Sequence, residues 1–228
     1  MNLLAIETSS DFCSVAARRG DAVFFRHVPA DQRHGELVLP MIDAVMAEAG
    51  LALADLQGIA YGAGPGAFTG LRIACGVTQG LALARGLPVV GVGTLLALAA
   101  DGGRETGSDR VVACIDARMS EVYHAAYRRT GDRWSEQVAP ALAKPGEVPV
   151  PPGADWLGCG SGFAAYGGRL AALLGPALVA VRADLRPSAR AVLELAWPEF
   201  AAGKGADAAT AVPVYLRDKV ALKTSERA

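Results

Sequence analysis

The chain has 228 residues, of which 52% are hydrophobic, 20% charged and only 6% aromatic, with 22 basic against 23 acidic side chains and a formal net charge of −1. Apolar content this high at so low a net charge excludes a disordered chain. The 27 glycines follow no fixed period, which excludes a collagen-like one, and no stretch of about 18 residues is free of charges and turn formers, which argues against a membrane span. A near-neutral balance also disfavours a protein that grips nucleic acid unaided.

Leu3 to Ile6 reads as a short buried strand. No basic residues precede it and Glu7 ends the apolar run too early for a signal peptide. Thr8 to Asp11 is a polar turn cluster. Cys13 to Ala17 and Ala22 to Val28 are further strands joined by the turn signal Gly20-Asp21, which completes an antiparallel meander. The spacing of Leu37, Val38, Met41, Ile42, Val45, Met46 and Ala49 then predicts an amphipathic helix closed by Gly50. Gln57 to Tyr61 is a buried strand, followed by the glycine loop Gly62 to Gly70, a helix over Leu71 to Arg85, a strand over Leu87 to Val92 and a short helix over Thr94 to Ala100. Residues 101–108 are polar, contain three glycines and read as a linker.

After that linker the order repeats. Val111 to Ile115, Glu121 to Arg128 and Trp134 to Val138 are strands. A proline-rich stretch, Lys144 to Pro152, stands where a helix is due. Asp155 to Cys159 is a strand before a second glycine loop, and helical patterns cover Phe163 to Leu174 and Ser188 to Ala202. Meander, then alternating helix and strand, twice over, implies a duplicated α/β architecture with a cleft between halves at residues 1–103 and 104–228.

The first glycine loop follows a strand and precedes a helix, a place where backbone amides can hold an anion. It lacks the lysine of a Walker A loop. Gly62, Gly64 and Ala67 match the spacing of a dinucleotide fingerprint, but no acid stands about 20 residues further on. An anion site and a tight turn without a ligand both remain open. In the helix that follows, Gly76, Gly80 and Ala84 form a stripe without bulky side chains, as do Gly66, Gly70 and Ala74 at its start. Each mid-helix glycine costs up to about 1 kcal/mol against alanine, which close packing of another backbone would explain. That backbone belongs either to the Leu37–Ala49 helix or to another protein.

Catalytic signatures are thin. Cys13, Cys75, Cys114 and Cys159 form no C-x-x-C pair and read as reduced thiols of a cytosolic protein. His27, His34 and His124 form no H-E-x-x-H motif, and Val38 occupies the position four after His34. Ser161 does not sit in a nucleophile elbow. Glu7 and Asp116 end apolar strands at matching places in the two halves, where a carboxylate either faces the cleft and holds a metal–phosphate or caps its own turn. Arg118, two residues after Asp116, favours a salt bridge or an anion.

Four strings carry a family resemblance: Leu4-Ala5-Ile6-Glu7-Thr8-Ser9, Tyr61 to Ile73, Ile115-Asp116-Ala117-Arg118-Met119-Ser120-Glu121-Val122-Tyr123, and Pro213-Val214-Tyr215-Leu216-Arg217. With their order and the chain length, the sequence resembles the bacterial TsaB family over nearly its whole extent. The resemblance implies an actin-like ATPase (ribonuclease H-like) fold of two related halves, whose C-terminal tail packs back on the first. It implies a cytoplasmic role in making threonylcarbamoyladenosine in tRNA, by binding the catalytic paralogue TsaD together with the ATPase TsaE, and a homodimer when alone. TsaD-type relatives carry two metal-binding histidines four apart, where this chain has His34 and Val38. ATP-using members of the wider fold carry Asp-x-Gly-Thr in their first phosphate loop, where this chain has Glu7-Thr8-Ser9-Ser10. The implied role is therefore a non-catalytic subunit, with no metal and with tRNA contact falling mainly to partners. Leu37, Met41, Val45, Gly70, Leu71, Ile73, Ala74, Val77, Gly80 and Ala84 are the expected partner interface. Glu7, Thr8, Ser9, Gly64, Gly66, Thr69, Asp116 and Arg118 are the candidate anion or nucleotide contacts, with ATP or ADP at the interface of the complex as the cofactor to consider. A metallopeptidase and an ATP-dependent small-molecule kinase are the alternatives on the same fold.

Overall fold

A computed structural model describes residues 1–217. It contains two five-stranded mixed sheets with the same strand order. In the first, β1 (Asn2–Glu7), β2 (Phe12–Arg19) and β3 (Ala22–Pro29) form an antiparallel meander, and β4 (Gly58–Gly64) and β5 (Val89–Gly93) extend β1 on its other side in parallel. In the second, β6 (Arg110–Arg118), β7 (Glu121–Thr130) and β8 (Arg133–Ala143) repeat the meander, and β9 (Trp156–Cys159) and β10 (Leu178–Arg182) repeat the parallel extension. This is the duplicated actin-like architecture. No helix among the described residues is long and apolar enough to cross a membrane.

Among the described residues, four α-helices lie between strands, α1 (His34–Ala49), α2 (Phe68–Arg85), α3 (Thr94–Thr106) and α4 (Ser161–Leu174), and a fifth, α5 (Ala189–Ala201), follows β10. The proline-rich stretch takes the place of a sixth, between β8 and β9. Strands covered on both faces read as continuous apolar runs, and β1 is such a strand. Leu4 and Ile6 pack with Val38, Met41, Val45 and Ala74 from α1 and α2. Leu3 and Ala5 pack with Val192, Leu193 and Ala196 from α5 on the opposite face. In the second sheet Val111, Ala113 and Ile115 meet Leu95 and Leu98 of α3, while Val112 and Cys114 meet Phe163 and Leu170 of α4. Helices α3 and α5 thus lie together between the sheets. All four cysteines are free and buried, and burial raises each thiol, to about 11 for Cys13 and about 12 for Cys159.

Two sequence expectations need correction here. Residues 101–106 are the last turns of α3, so the polar segment is not an open linker and the 103/104 boundary falls inside a helix. Its glycines serve close packing: a Cβ on Gly102 would run into Cys159 Sγ, and one on Gly103 into the Ser108 carbonyl and Trp134. Asp101 is buried because it receives the start of α5, taking the Ser188 N–H at 2.8 Å and the Ser188 hydroxyl at 2.9 Å, with Arg104 as its ion partner. The second correction is β10, an edge strand the sequence reading passes over.

Candidate functional site

The glycine loop and the turn after β1 are built against each other. A Cβ on Gly70 would overlap the Thr8 carbonyl, one on Gly66 the Ser9 carbonyl, and one on Gly62 the Glu7 carboxylate. The hydrogen bonds run the same way. Thr8 Oγ1 donates to the Gly70 carbonyl at 2.7 Å, and the Ala67 N–H donates to the Ser9 carbonyl at 2.8 Å. His34, at the start of α1, donates from Nε2 to the Ser10 carbonyl at 3.0 Å. Gly64 has φ of +110°, and its open side is closed by the Val214 carbonyl.

The two strand-end acids do equivalent local work. Glu7 Oε1 accepts the Ser9 N–H at 2.6 Å, and Asp116 Oδ1 accepts the Arg118 N–H at 2.8 Å, each two residues on. Asp116 also takes the Tyr166 hydroxyl at 3.2 Å and the Arg118 guanidinium at 3.3 Å. Glu7 is wholly buried, and its Oε2 finds no hydrogen-bond partner among the described residues. Burial pushes its carboxyl up to about 7 against the pull of the Ser9 hydrogen bonds.

A cleft of about 650 Å³ opens between the halves, lined by Ser9, Ser10, Gly66, Phe68, Asp116, Arg118, Tyr123, Ser161, Arg186 and Arg217 among others. Of the candidate anion contacts, the structure brings Ser9, Gly66, Asp116 and Arg118 to this cleft. Glu7, Thr8 and Gly64 lie buried away from its lining, and Thr69 is exposed outside it. Sequence reasoning missed the bridges across the cleft. Arg186 donates from Nε to Asp11 at 2.6 Å, and its Nη1 donates to the carbonyls of Ala183, Asp184 and Leu185. Arg217 reaches the Ala117 carbonyl at 3.0 Å and Glu121 at 2.8 Å. The tail that carries Arg217 is tied to the first half, where the Val214 N–H donates to the Ala63 carbonyl and Cys75 and Gln79 donate to that of Ala211. No composition or spacing signal marks these pairs, which join residues up to 175 apart in the chain.

The expected partner interface splits in two. Met41, Val45, Gly70, Leu71 and Ala74 are buried and cannot touch a partner in this arrangement, because the apolar face of α1 and the start of α2 cover the first sheet. Leu37, Ile73 and Val77 are half-buried at the rim of that core. Gly80 and Ala84 are exposed, as is Gly76, and a Cβ on Gly76 or Gly80 would meet nothing within 4 Å. The stripe therefore faces outward and packs against no helix among the described residues, with Leu83 beside it 59% exposed.

The two glycine sets should respond oppositely to substitution. Gly70→Ala should lower unfolding stability by about 3 kcal/mol through overpacking, whereas Gly76→Ala should raise it by up to about 1 kcal/mol through helix propensity, both read by urea denaturation. Glu7 adds a pH signature. Its folded pKa lies above the ordinary 4.5, so the folded state binds the proton more tightly. The stabilising proton is present below 4.5 and lost as pH rises through about 7. Thermal melts of Glu7→Gln and the parent should therefore diverge from pH 5 to pH 8, with the glutamine variant the more stable at pH 8 by up to about 3 kcal/mol.

The family model "TsaD: tRNA N6-adenosine threonylcarbamoyltransferase" matches residues 28–223. The chain is 38% identical to the tRNA threonylcarbamoyladenosine biosynthesis protein TsaB of Escherichia coli, over 98% of this chain and 97% of that protein. It is 34% identical to the protein of the same name from Haemophilus influenzae, over 98% and 96%. Among solved structures, YeaZ from Pseudomonas aeruginosa superposes with a TM-score of 0.89 at 42% identity, over 94% of this chain and 99% of that one. A second Pseudomonas aeruginosa structure, described as similar to peptidase YeaZ, gives 0.88 at 42% identity, over 95% and 99%. The chain belongs to the TsaB family.

Proposed function

We propose that this chain is a non-catalytic, cytoplasmic subunit of the machinery that places a threonylcarbamoyl group on the adenosine beside the tRNA anticodon, and that it acts by binding and organising TsaD, together with TsaE. The pathway follows from the names of its relatives. The outward glycine stripe of α2 supports the binding role most directly. A helix that keeps Gly76 and Gly80 on a solvent face forgoes helix propensity with no packing return among the described residues. A second helix can approach such a stripe closely, and half-buried Ile73 and Val77 with exposed Leu83 supply apolar contact at its margins.

The non-catalytic role rests on how the candidate groups are used. His34 is taken up by the Ser10 carbonyl, and its neighbour one helical turn on is the buried core residue Val38. Glu7 and Asp116 cap their own turns, and the amides and carbonyls of the first loop bond one another. A first half that carries the partner-binding helices belongs to the same proposal, as does a homodimer in the absence of TsaD.

Gly80→Leu tests the surface. The added side chain enters open space in the isolated chain, and leucine is the better helix former. The variant should melt no lower than the parent and should lose co-purification with TsaD. Undiminished co-purification would remove the stripe from the interface.

A further inference from the structure

Three residues from two distant segments make a second surface feature. Phe68 is the first residue of α2, Arg72 lies one turn on, and Tyr215 comes from the C-terminal segment. The Arg72 guanidinium lies 3.9 Å from the Phe68 ring centroid, and its Nε donates to the Tyr215 hydroxyl at 3.2 Å. The two rings sit 5.7 Å apart, and Phe68 and Tyr215 are 42% and 45% exposed. Burial in this chain does not account for rings so open to water. Arg72 forms no ion pair with a carboxylate among the described residues, yet the two aromatics hold it in place. Its immobilisation is already met by folding, and its remaining N–H donors point to no acceptor among the described residues.

The same corner carries a second cation. Phe68 and Arg118 line one cleft, and the Arg118 side chain is 87% exposed, so its pairing with Asp116 is worth little. Arg118, Met119 and Ser120 take φ of +61°, +54° and +59°, a run of left-handed non-glycine residues that tends to mark functional turns. Arg217 braces that turn through the Ala117 carbonyl.

We propose that Phe68, Arg72 and Tyr215 form a platform for an unpaired RNA nucleotide, which stacks on the aromatic–guanidinium surface while Arg72 and Arg118 take its phosphates. Flat aromatic faces interleaved with arginine are the chemistry that recognises single-stranded nucleic acid, because splayed bases can stack and a duplex offers no free face. The feature is local, so a net charge of −1 is compatible with it. It predicts weak, salt-sensitive binding rather than a tight grip. The proposal is independent of the TsaD-binding reading, since it uses the start of α2 and the tail rather than the glycine stripe.

Fluorescence anisotropy with a labelled single-stranded oligoadenylate and the full chain tests it. Saturable binding is expected within about 100 μM protein and should weaken with added salt. Arg72→Glu and Tyr215→Ala should each weaken it about tenfold or more, and a duplex of the same length should not compete. Arg133→Glu makes the same charge change at the opposite end of β7 and should leave binding within about twofold. Thermal melts confirm that each variant is folded, and Arg72→Lys, which keeps the charge but loses the flat fork, should fall between parent and Arg72→Glu. No saturable binding by the parent, or equal binding by Arg72→Glu and Arg133→Glu, overturns the proposal. So does loss of TsaD co-purification by Arg72→Glu with oligoadenylate binding intact, which would make the platform a protein contact. Loss of oligoadenylate binding with TsaD co-purification retained supports it.

Discussion

No side chain fits between residue 70 and the carbonyl of Thr8. That single close approach, repeated at Gly66 against Ser9 and at Gly62 against Glu7, sets the position of α2 on the first sheet. The turn after β1 and the start of α2 then bond to each other. Because the inner face of α2 is fixed this tightly, its outer face is presented as a rigid surface. The glycines of the loop and the glycines of the helix thus do different work. The first set admits the chain's own backbone, and the second leaves room for another.

The same economy runs through the rest of the molecule. Several polar groups at and near the cleft are joined to neighbours two residues away or across the halves. Glu7 and Asp116 hold equivalent N–H groups. Asp11 and Arg186 close one side of the cleft, and Arg217 ties the tail to the β6–β7 turn on the other. Asp101 receives the start of α5 between the sheets. The contacts of Asp11, Arg217 and Asp101 hold the two halves in one relation, which fits the proposed role of presenting a fixed surface.

Much of the fold is legible in the sequence because its elements are strongly patterned. β1 and β6 are apolar on both faces, and α1 has an unbroken helical period, so their existence and order follow from residue type alone. β10 is not legible, because Leu178 to Arg182 is an edge strand with Val179 and Val181 turned to solvent. The end of α3 misleads for the opposite reason: Asp101, Gly102 and Gly103 look like linker residues and are buried by tertiary packing. The site is legible by halves. The stripe of Gly76, Gly80 and Ala84 is visible as spacing, but spacing does not say which side of a helix meets the sheet. The apolar residues Met41 and Val45 went to the core for the ordinary reason that an amphipathic face covers a sheet. The Asp11–Arg186 bridge joins segments 175 residues apart, and the Arg217 bridge and the Phe68–Arg72–Tyr215 cluster are created by the return of the tail, none of which a local pattern encodes.

In the proposed role this chain supplies a surface and no chemistry. Reconstituted tRNA modification tests it most directly, with TsaD, TsaE and the threonylcarbamoyl-adenylate synthase assembled and each component omitted in turn. Threonylcarbamoyladenosine should form efficiently only when this chain is present, and Glu7→Gln, which removes the buried carboxylate at the end of β1, should support modification as well as the parent. Full modification without this chain, or its loss with a folded Glu7→Gln variant, would contradict it.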